Sequence, residues 1–264
     1  MKVGFIGSGN MASALISSMS KNDNYEISVM DINEEALKKN EKLVSFTSTD
    51  VKEVIARSEY LILAIKPYMY QDFLIEHKEI LQDKLVVSIA AGISKEFMKT
   101  YLNKYVIVMP NTPAAVGLGL TSIVENDDID KQEFLNVVQI FETVGETKII
   151  TEDQLSNMIC LAGSSPAYFY LVLEAMSKFG QAKGMDKKEA IRVVANVMKA
   201  TAQMQLDSEL SPRELADNVC SPNGTTIEAV EYFDEHGLEE LFYKAMEACY
   251  DRSLEMKREN DESL

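Results

Sequence analysis

Residues 3–12 constrain this chain more than any other stretch: Val3-Gly4-Phe5-Ile6-Gly7-Ser8-Gly9-Asn10-Met11-Ala12. An apolar strand-like run feeds Gly-x-Gly-x-x-Ala and then a helix-like stretch. Gly7 permits the tight turn out of the strand. Gly9, without a Cβ, lets a pyrophosphate approach the backbone, and Ala12 lets the helix pack close to the strand. The N–H groups at such a helix start, here from Ser8 through Met11, face anionic phosphates. An acidic residue, Asp31, lies about 20 residues on, where a ribose hydroxyl is usually held. The pattern implies a dinucleotide site. A plain glycine-rich turn is the competing reading.

Strand-like and helix-like segments alternate through the first part of the chain. The strands expected are Lys2–Gly7, Glu26–Met30, Leu43–Phe46, Tyr60–Ile65, Leu85–Ala90, Val106–Met109, Thr121–Val124 and Thr147–Ile150. The helices between them are Met11–Ser20, Glu34–Lys39, Val51–Arg57, Met69–Leu81, Lys95–Tyr101 and Lys131–Thr143. Leu61-Ile62-Leu63-Ala64-Ile65 is apolar on both faces, as in a buried parallel strand. The order predicts an α/β fold, a Rossmann doubly wound sheet. From Glu152 the strand signals stop, and 152–163, 166–183, 186–206, 211–219, 225–235 and 238–258 show helical spacing. Gly163-Ser164-Ser165-Pro166 is expected to break the first helix from the second. The expected division is a dinucleotide-binding domain over 1–151 and an all-helical dimerisation and substrate-binding domain over 152–264. Phe169, Leu171, Leu173, Ala175, Met176 and Phe179 cover more than one narrow helix face, which predicts subunit association, with a larger core within one chain as the alternative. Residues 257–264 are polar and expected to fray.

The 264 residues carry a formal charge of −16, which disfavours nucleic acid and anionic membranes as partners. No apolar run reads as a membrane span, and the fingerprint begins too near Met1 for a signal peptide. Together these predict a cytoplasmic protein. Cys160, Cys220 and Cys249 are too scattered for a metal set and fit reduced thiols. His77 and His236 sit in charged, turn-like surroundings and read as surface residues, so no metal site and no histidine triad is expected.

In a doubly wound sheet ligands bind beyond the carboxyl ends of the strands. There the sequence places Asp31-Ile32-Asn33, then Ala64-Ile65-Lys66-Pro67, then Ala90-Ala91-Gly92, then Met109-Pro110-Asn111. Ala64, Lys66, Pro67, Ala91, Gly92 and Asn111 are therefore candidate cofactor contacts. Asp31 leans the choice towards NADH over NADPH, although it also reads as a cap for the helix at Glu34. A second rich segment, Asp217-Asn218-Val219-Cys220-Ser221-Pro222-Asn223-Gly224-Thr225-Thr226, links two helices. Free N–H groups and two hydroxyls at its end suit a small carboxylate. Ordinary helix capping by one threonine is the alternative.

With these stretches in order, the chain resembles the pyrroline-5-carboxylate reductase family. The resemblance rests on Phe5 through Ala12, Lys66-Pro67, Ala90 through Gly92, Met109-Pro110-Asn111-Thr112-Pro113, Gly163 through Tyr168 and Asp217 through Thr226. It departs from the family pattern at Ser165 and Asn223, where glycine is usual. The resemblance implies reduction of 1-pyrroline-5-carboxylate to L-proline with NADPH or NADH, and a homodimer or a ring of dimers. It implies that the backbone around Gly224, Thr225 and Thr226 holds the substrate carboxylate. Thr226 would donate to the ring nitrogen and Ser221 would line the pocket as a second catalytic candidate. Asn218 would stand on the cofactor side, with the loop meeting the nicotinamide across the dimer. The alternatives are a related imine or β-hydroxyacid dehydrogenase, for which Lys178 or Lys183 would be the catalytic lysine, and a non-catalytic nucleotide-binding regulator.

Overall fold

The structure, a computed structural model, describes residues 1–262. Eight strands form one sheet: β1 (Lys2–Ile6), β2 (Glu26–Met30), β3 (Phe46–Ser48), β4 (Tyr60–Leu63), β5 (Leu85–Ser88), β6 (Tyr105–Met109), β7 (Gly119–Val124) and β8 (Gly145–Ile150). Their order is β3-β2-β1-β4-β5-β6-β7-β8. Every pairing is parallel except β6 with β7. The connecting helices are α1 (Asn10–Met19), α2 (Glu34–Asn40), α3 (Val51–Arg57), α4 (Tyr70–Glu76), α5 (Lys78–Leu81), α6 (Lys95–Tyr101) and α7 (Lys131–Glu142).

The two-residue period of a strand sends alternate side chains to opposite faces, and both faces are covered. Phe5, Val29, Ile62, Val87 and Val106 pack with Leu15, Ile16, Ile140 and Phe141 on one side. Ile6, Leu61, Leu63, Val86 and Ile107 pack with Val54, Leu74, Phe97 and Ile159 on the other. That double burial explains the continuous apolar strands, and each buried leucine or isoleucine contributes roughly 1.5–3 kcal/mol.

After the sheet comes a capping box, in which Thr151 and Gln154 satisfy each other's backbone. A helical stretch then runs Glu152–Ala182 over 31 residues. It comprises a tight turn, α8 (Leu155–Met158), a π-helical turn (Ile159–Gly163) and α9 (Ser165–Ala182). Then follow α10 (Lys187–Leu206), α11 (Pro212–Val219), α12 (Thr225–Glu235) and α13 (Leu238–Asp261). The chain divides into two compact units. One holds Met1–Pro166 and the residues from Cys249 onward; the other is Ala167–Ala248.

Several expectations are corrected. β3 forms at Phe46–Ser48, not over 43–46, because its pairing with Ser28–Met30 sets the register, while Leu43 lies in a tight turn. The helix expected over 69–81 breaks at His77, whose backbone leaves helical geometry. His77 is buried, with its ring edge-on to Phe73, and is not a surface residue; His236 is exposed and stacks on Tyr232. The break expected at 163–166 is a π turn instead. Ser164 N–H reaches back to Ile159 O, which carries the helix past Pro166. The segment from Lys257 is docked rather than frayed. Lys257 pairs with Glu152, Asn260 Nδ2 donates to Gly92 O at 2.8 Å, and Ser94 Oγ donates to Asp261; Ser263 and Leu264 lie outside the described residues. Finally, Glu152–Ala182 is long and apolar enough to cross a membrane by length and composition, with a mean hydropathy of 1.3 in its most apolar stretch. Core helices of soluble proteins pass the same test. Phe169, Leu171, Met176 and Phe179 are all exposed in this single chain.

Candidate active site

Strand order reverses between β1 and β4, and a doubly wound sheet binds its ligand at that switch point. Three backbones meet at the end of β1: Gly7 N–H donates to Met30 O of β2, and Ala64 N–H, just past β4, donates to Ile6 O, each at 2.8 Å. Gly7 has φ +101°, and a Cβ on it would lie 2.7 Å from Ala64 O, so glycine is required. At Gly9 the space is open: apart from Gly9 itself and its two chain neighbours, no heavy atom of the described residues lies within 4 Å of a Cβ placed there. No side chain caps α1 behind it. An open approach to an uncapped helix start is what a pyrophosphate needs, so the cradle fits a nicotinamide dinucleotide.

The carboxylate of Asp31 is fixed by the loop itself. Oδ2 accepts from Ser8 N–H at 2.7 Å and Oδ1 from Asn33 N–H at 2.9 Å. Asp31 is not the cap of α2; Asn33 is, accepting from Glu35 N–H. Ser8 is buried, and its Oγ donates to Ala36 O and accepts from Asn40 Nδ2. It therefore holds the loop from behind rather than facing a ligand, which corrects its expected role. Asn10 and Met11 open α1 at the cradle.

The other strand ends divide between open loops and structural joints. Lys66 is exposed and precedes a tight turn, Pro67–Met69, after Ala64. Ala91 is half-buried, and Gly92 is packed against the C-terminal helix. Its φ is +80°, and a Cβ there would lie 2.9 Å from Met256 Cβ and 3.0 Å from Asn260 Nδ2. Its small size serves the docking of α13. Asn111 is also engaged structurally. Pro166 has no N–H for Ala162 O, the carbonyl four residues back, and Asn111 Nδ2 donates to that oxygen at 3.1 Å. Asn111 Oδ1 accepts Leu120 N–H at 3.0 Å. Ser165 Oγ similarly donates to Leu161 O at 2.7 Å.

Two residues were not singled out from the sequence. Tyr70 is fully buried; its hydroxyl donates to Leu63 O at 2.8 Å and accepts from Ser88 Oγ at 3.1 Å. It ties the carboxyl ends of β4 and β5, and burial pushes its phenol far above the ordinary value. Asn40 is the second, and its i, i+3 spacing from buried Leu37 was the available signal. Burial, and Cys249 beside it, push the Cys160 thiol up, which favours the protonated thiol over the nucleophilic thiolate.

In the second unit, Ser221-Pro222-Asn223-Gly224 forms a turn closed by Gly224 N–H to Ser221 O at 2.9 Å. Asn223 has φ +57°, and Pro222 precedes it, the residue order a type II turn favours. Gly224 is the N-cap of α12, with no side-chain cap bond. Neither Thr225 nor Thr226 caps the helix, so plain threonine capping does not account for this segment. A Cβ on Gly224 would overlap Ser221 Oγ and crowd Ser221 O at 3.0 Å, so the tight turn leaves little room for a side chain there. Asn218 is exposed on the last turn of α11. Arg213 binds Asp217 on its own helix and Asp234 on α12, tying together the helices that flank the loop. Lys178 is exposed and paired with Glu174 at 2.8 Å, and Lys183 lies over the Phe179 ring. Neither is set as a catalytic lysine. Among the described residues no group of three His, Cys, Asp or Glu side chains is placed to hold a metal.

The doubly wound sheet, the open cradle at its switch point and the helical half define a nicotinamide-dependent oxidoreductase. Residues 2–92 match the NADP oxidoreductase coenzyme F420-dependent family, and residues 152–256 match the pyrroline-5-carboxylate reductase dimerisation family. A pyrroline-5-carboxylate reductase of Methanosarcina acetivorans is 34% identical over 97% of this chain and 97% of its own length. The pyrroline-5-carboxylate reductase structure from Coxiella burnetii is 32% identical with a TM-score of 0.84, covering 96% of this chain and 97% of that one. The Plasmodium falciparum pyrroline carboxylate reductase with NADP bound is 25% identical with a TM-score of 0.90, covering 97% and 98%. The chain belongs to the pyrroline-5-carboxylate reductase family.

Proposed function

We propose that this protein reduces 1-pyrroline-5-carboxylate to L-proline with NADH or NADPH, the last step of proline biosynthesis. The observation that carries the reading is a pair of uncapped helix starts, each behind a glycine turn: α1 behind Gly7–Gly9 and α12 behind Asn223–Gly224. One suits a pyrophosphate and the other a small carboxylate. When bound, the reduced nicotinamide supplies the hydride.

The chain's own work is holding and orienting the substrate and hydrogen-bonding its ring nitrogen. The N–H groups of Thr225 and Thr226 hold the substrate carboxylate. The Thr226 hydroxyl hydrogen-bonds the ring nitrogen as electron density arrives there, while Ser221 and Asn218 line the same pocket. An imine that enters as its iminium needs no strong general acid, which agrees with a site built without histidine. The reacting carbons must be brought to roughly 3–3.5 Å. Asp31, anchored on Ser8 and Asn33, keeps lone pairs for a ribose hydroxyl and sets a negative charge against a 2′-phosphate, which favours NADH. Residues 1–151 serve the nucleotide. Residues 152–264 serve substrate and self-association, as a dimer or a ring of dimers that covers the exposed face of α9. Three cysteines outside any disulfide suit the cytoplasm.

The test is NAD(P)H consumption with the pyrroline substrate against NAD(P)+ reduction with hydroxy acids, for wild type and Thr226→Ala. The expected loss in Thr226→Ala is about 10- to 100-fold in kcat, ~1.4–2.8 kcal/mol. Wild-type turnover in the variant removes Thr226 from the mechanism. Turnover of hydroxy acids in place of the cyclic imine overturns the function.

A further inference from the structure

Asn40 is 2% exposed, although a primary amide costs free energy to bury unless its hydrogen bonds are met. Its Nδ2 donates to Ser8 Oγ at 2.8 Å and to Ser13 Oγ at 3.0 Å. These partners lie on either side of Gly9, one in the turn and one in the first turn of α1. Ser8 is gripped at two further points, its N–H by Asp31 Oδ2 and its hydroxyl hydrogen by Ala36 O. Every polar hydrogen of Ser8 is thus engaged from the α2 side. The opposite side, over Gly9, is the open one.

We propose that Asn40 is a positioning residue for the dinucleotide: it never touches the cofactor, and it sets cofactor affinity by locking the glycine turn to the start of α1. The inference rests on the reading of the glycine turn as the cofactor cradle. Binding a pyrophosphate to backbone N–H groups requires those groups to be aligned beforehand, and a turn free to sample other conformations loses affinity in proportion. Two serines and one amide, brought together only by the packing of α2, supply that alignment.

The experiment is titration of NADH and NADPH into the full-length protein, followed by the nicotinamide fluorescence, without imine substrate. Thermal unfolding is recorded in parallel. Asn40→Ala is expected to raise Kd about tenfold, the equivalent of ~1.4 kcal/mol. The cofactor KM should rise alike, with kcat at saturating cofactor retained. Ser13→Ala, which removes one of the two bonds, should give a smaller rise and serves if Asn40→Ala does not fold. In Asn40→Ala/Ser8→Ala the two effects should fall short of adding, because they break one network. A lowered melting temperature with unchanged Kd, well below the transition, overturns the proposal and leaves Asn40 a purely structural residue. Failure of the wild-type protein to bind either dinucleotide overturns the cradle reading itself, a separate result.

Discussion

The side chain of Asn111 gives the sharpest quantitative test. It is 7% exposed and joins the start of β7 to the π-helical turn through Leu120 N–H and Ala162 O. Replacing it with alanine leaves one buried donor and one buried acceptor without their partner. Each orphan costs about 1–3 kcal/mol, so the expected loss is ~2–6 kcal/mol. That is a large part of the ~5–15 kcal/mol that holds a typical domain together. The measurement is urea unfolding at one fixed protein concentration, since self-association shifts the midpoint. The midpoint should fall with little change in slope. Asn111→Asp sharpens the argument. Its carboxylate still accepts from Leu120 N–H but opposes Ala162 O, and only its protonated form can donate there. Its folded pKa is therefore raised, and stability should be regained as pH falls through that value. A loss in Asn111→Ala below about 1 kcal/mol, or no gain for Asn111→Asp on acidification, would refute the claim that this amide substitutes for the N–H Pro166 lacks.

Other outcomes are expected from the same geometry. Gly92→Ala places a Cβ against Met256 at φ +80° and should destabilise by about 2–4 kcal/mol in chemical unfolding; a neutral effect means α13 does not dock as described. Asp31→Ser should move the ratio of NADH to NADPH activity towards NADPH; an unmoved ratio leaves Asp31 only as an anchor for Ser8 and Asn33. Cys160, with its thiol pushed up by burial, should resist thiol reagents at neutral pH until denaturant is added, as read by mass mapping of the labelled peptides.

The elements read best from sequence were those whose caps adjoin them. α3 and α6 begin directly after Asp50 and Ser94, whose side chains accept the first-turn N–H groups, and their bounds matched. β3 was misplaced because Leu43 is locally as apolar as Phe46, and only pairing with β2 separates them. The π turn was hidden for a similar reason. Gly163 and Pro166 read as a break, yet Asn111, far away in sequence, supplies the bond that keeps the helix going. At the candidate site the turn was legible because Gly7 answers to local backbone geometry, with φ +101° and Ala64 O too close for a Cβ. Asn40 and Tyr70 were not, since their partners arrive from other elements. Gly92 and Asn111 carry packing roles that the sequence did not show, because small or amide residues at strand ends suit ligands and tight packing equally.

The first compact unit is assembled from two separated stretches of chain, with Met256, Asn260 and Asp261 closing over Gly92 and Ser94. During synthesis these closing residues are made only after all of Ala167–Ala248. A ribosome-bound chain that ends between Ile150 and Cys249 therefore carries all eight strands of the sheet with an uncovered loop after β5. Its final locking waits for the helical unit to be translated. Domain-by-domain folding from the N-terminus is here deferred by the path of the chain, and the nucleotide-facing half matures last.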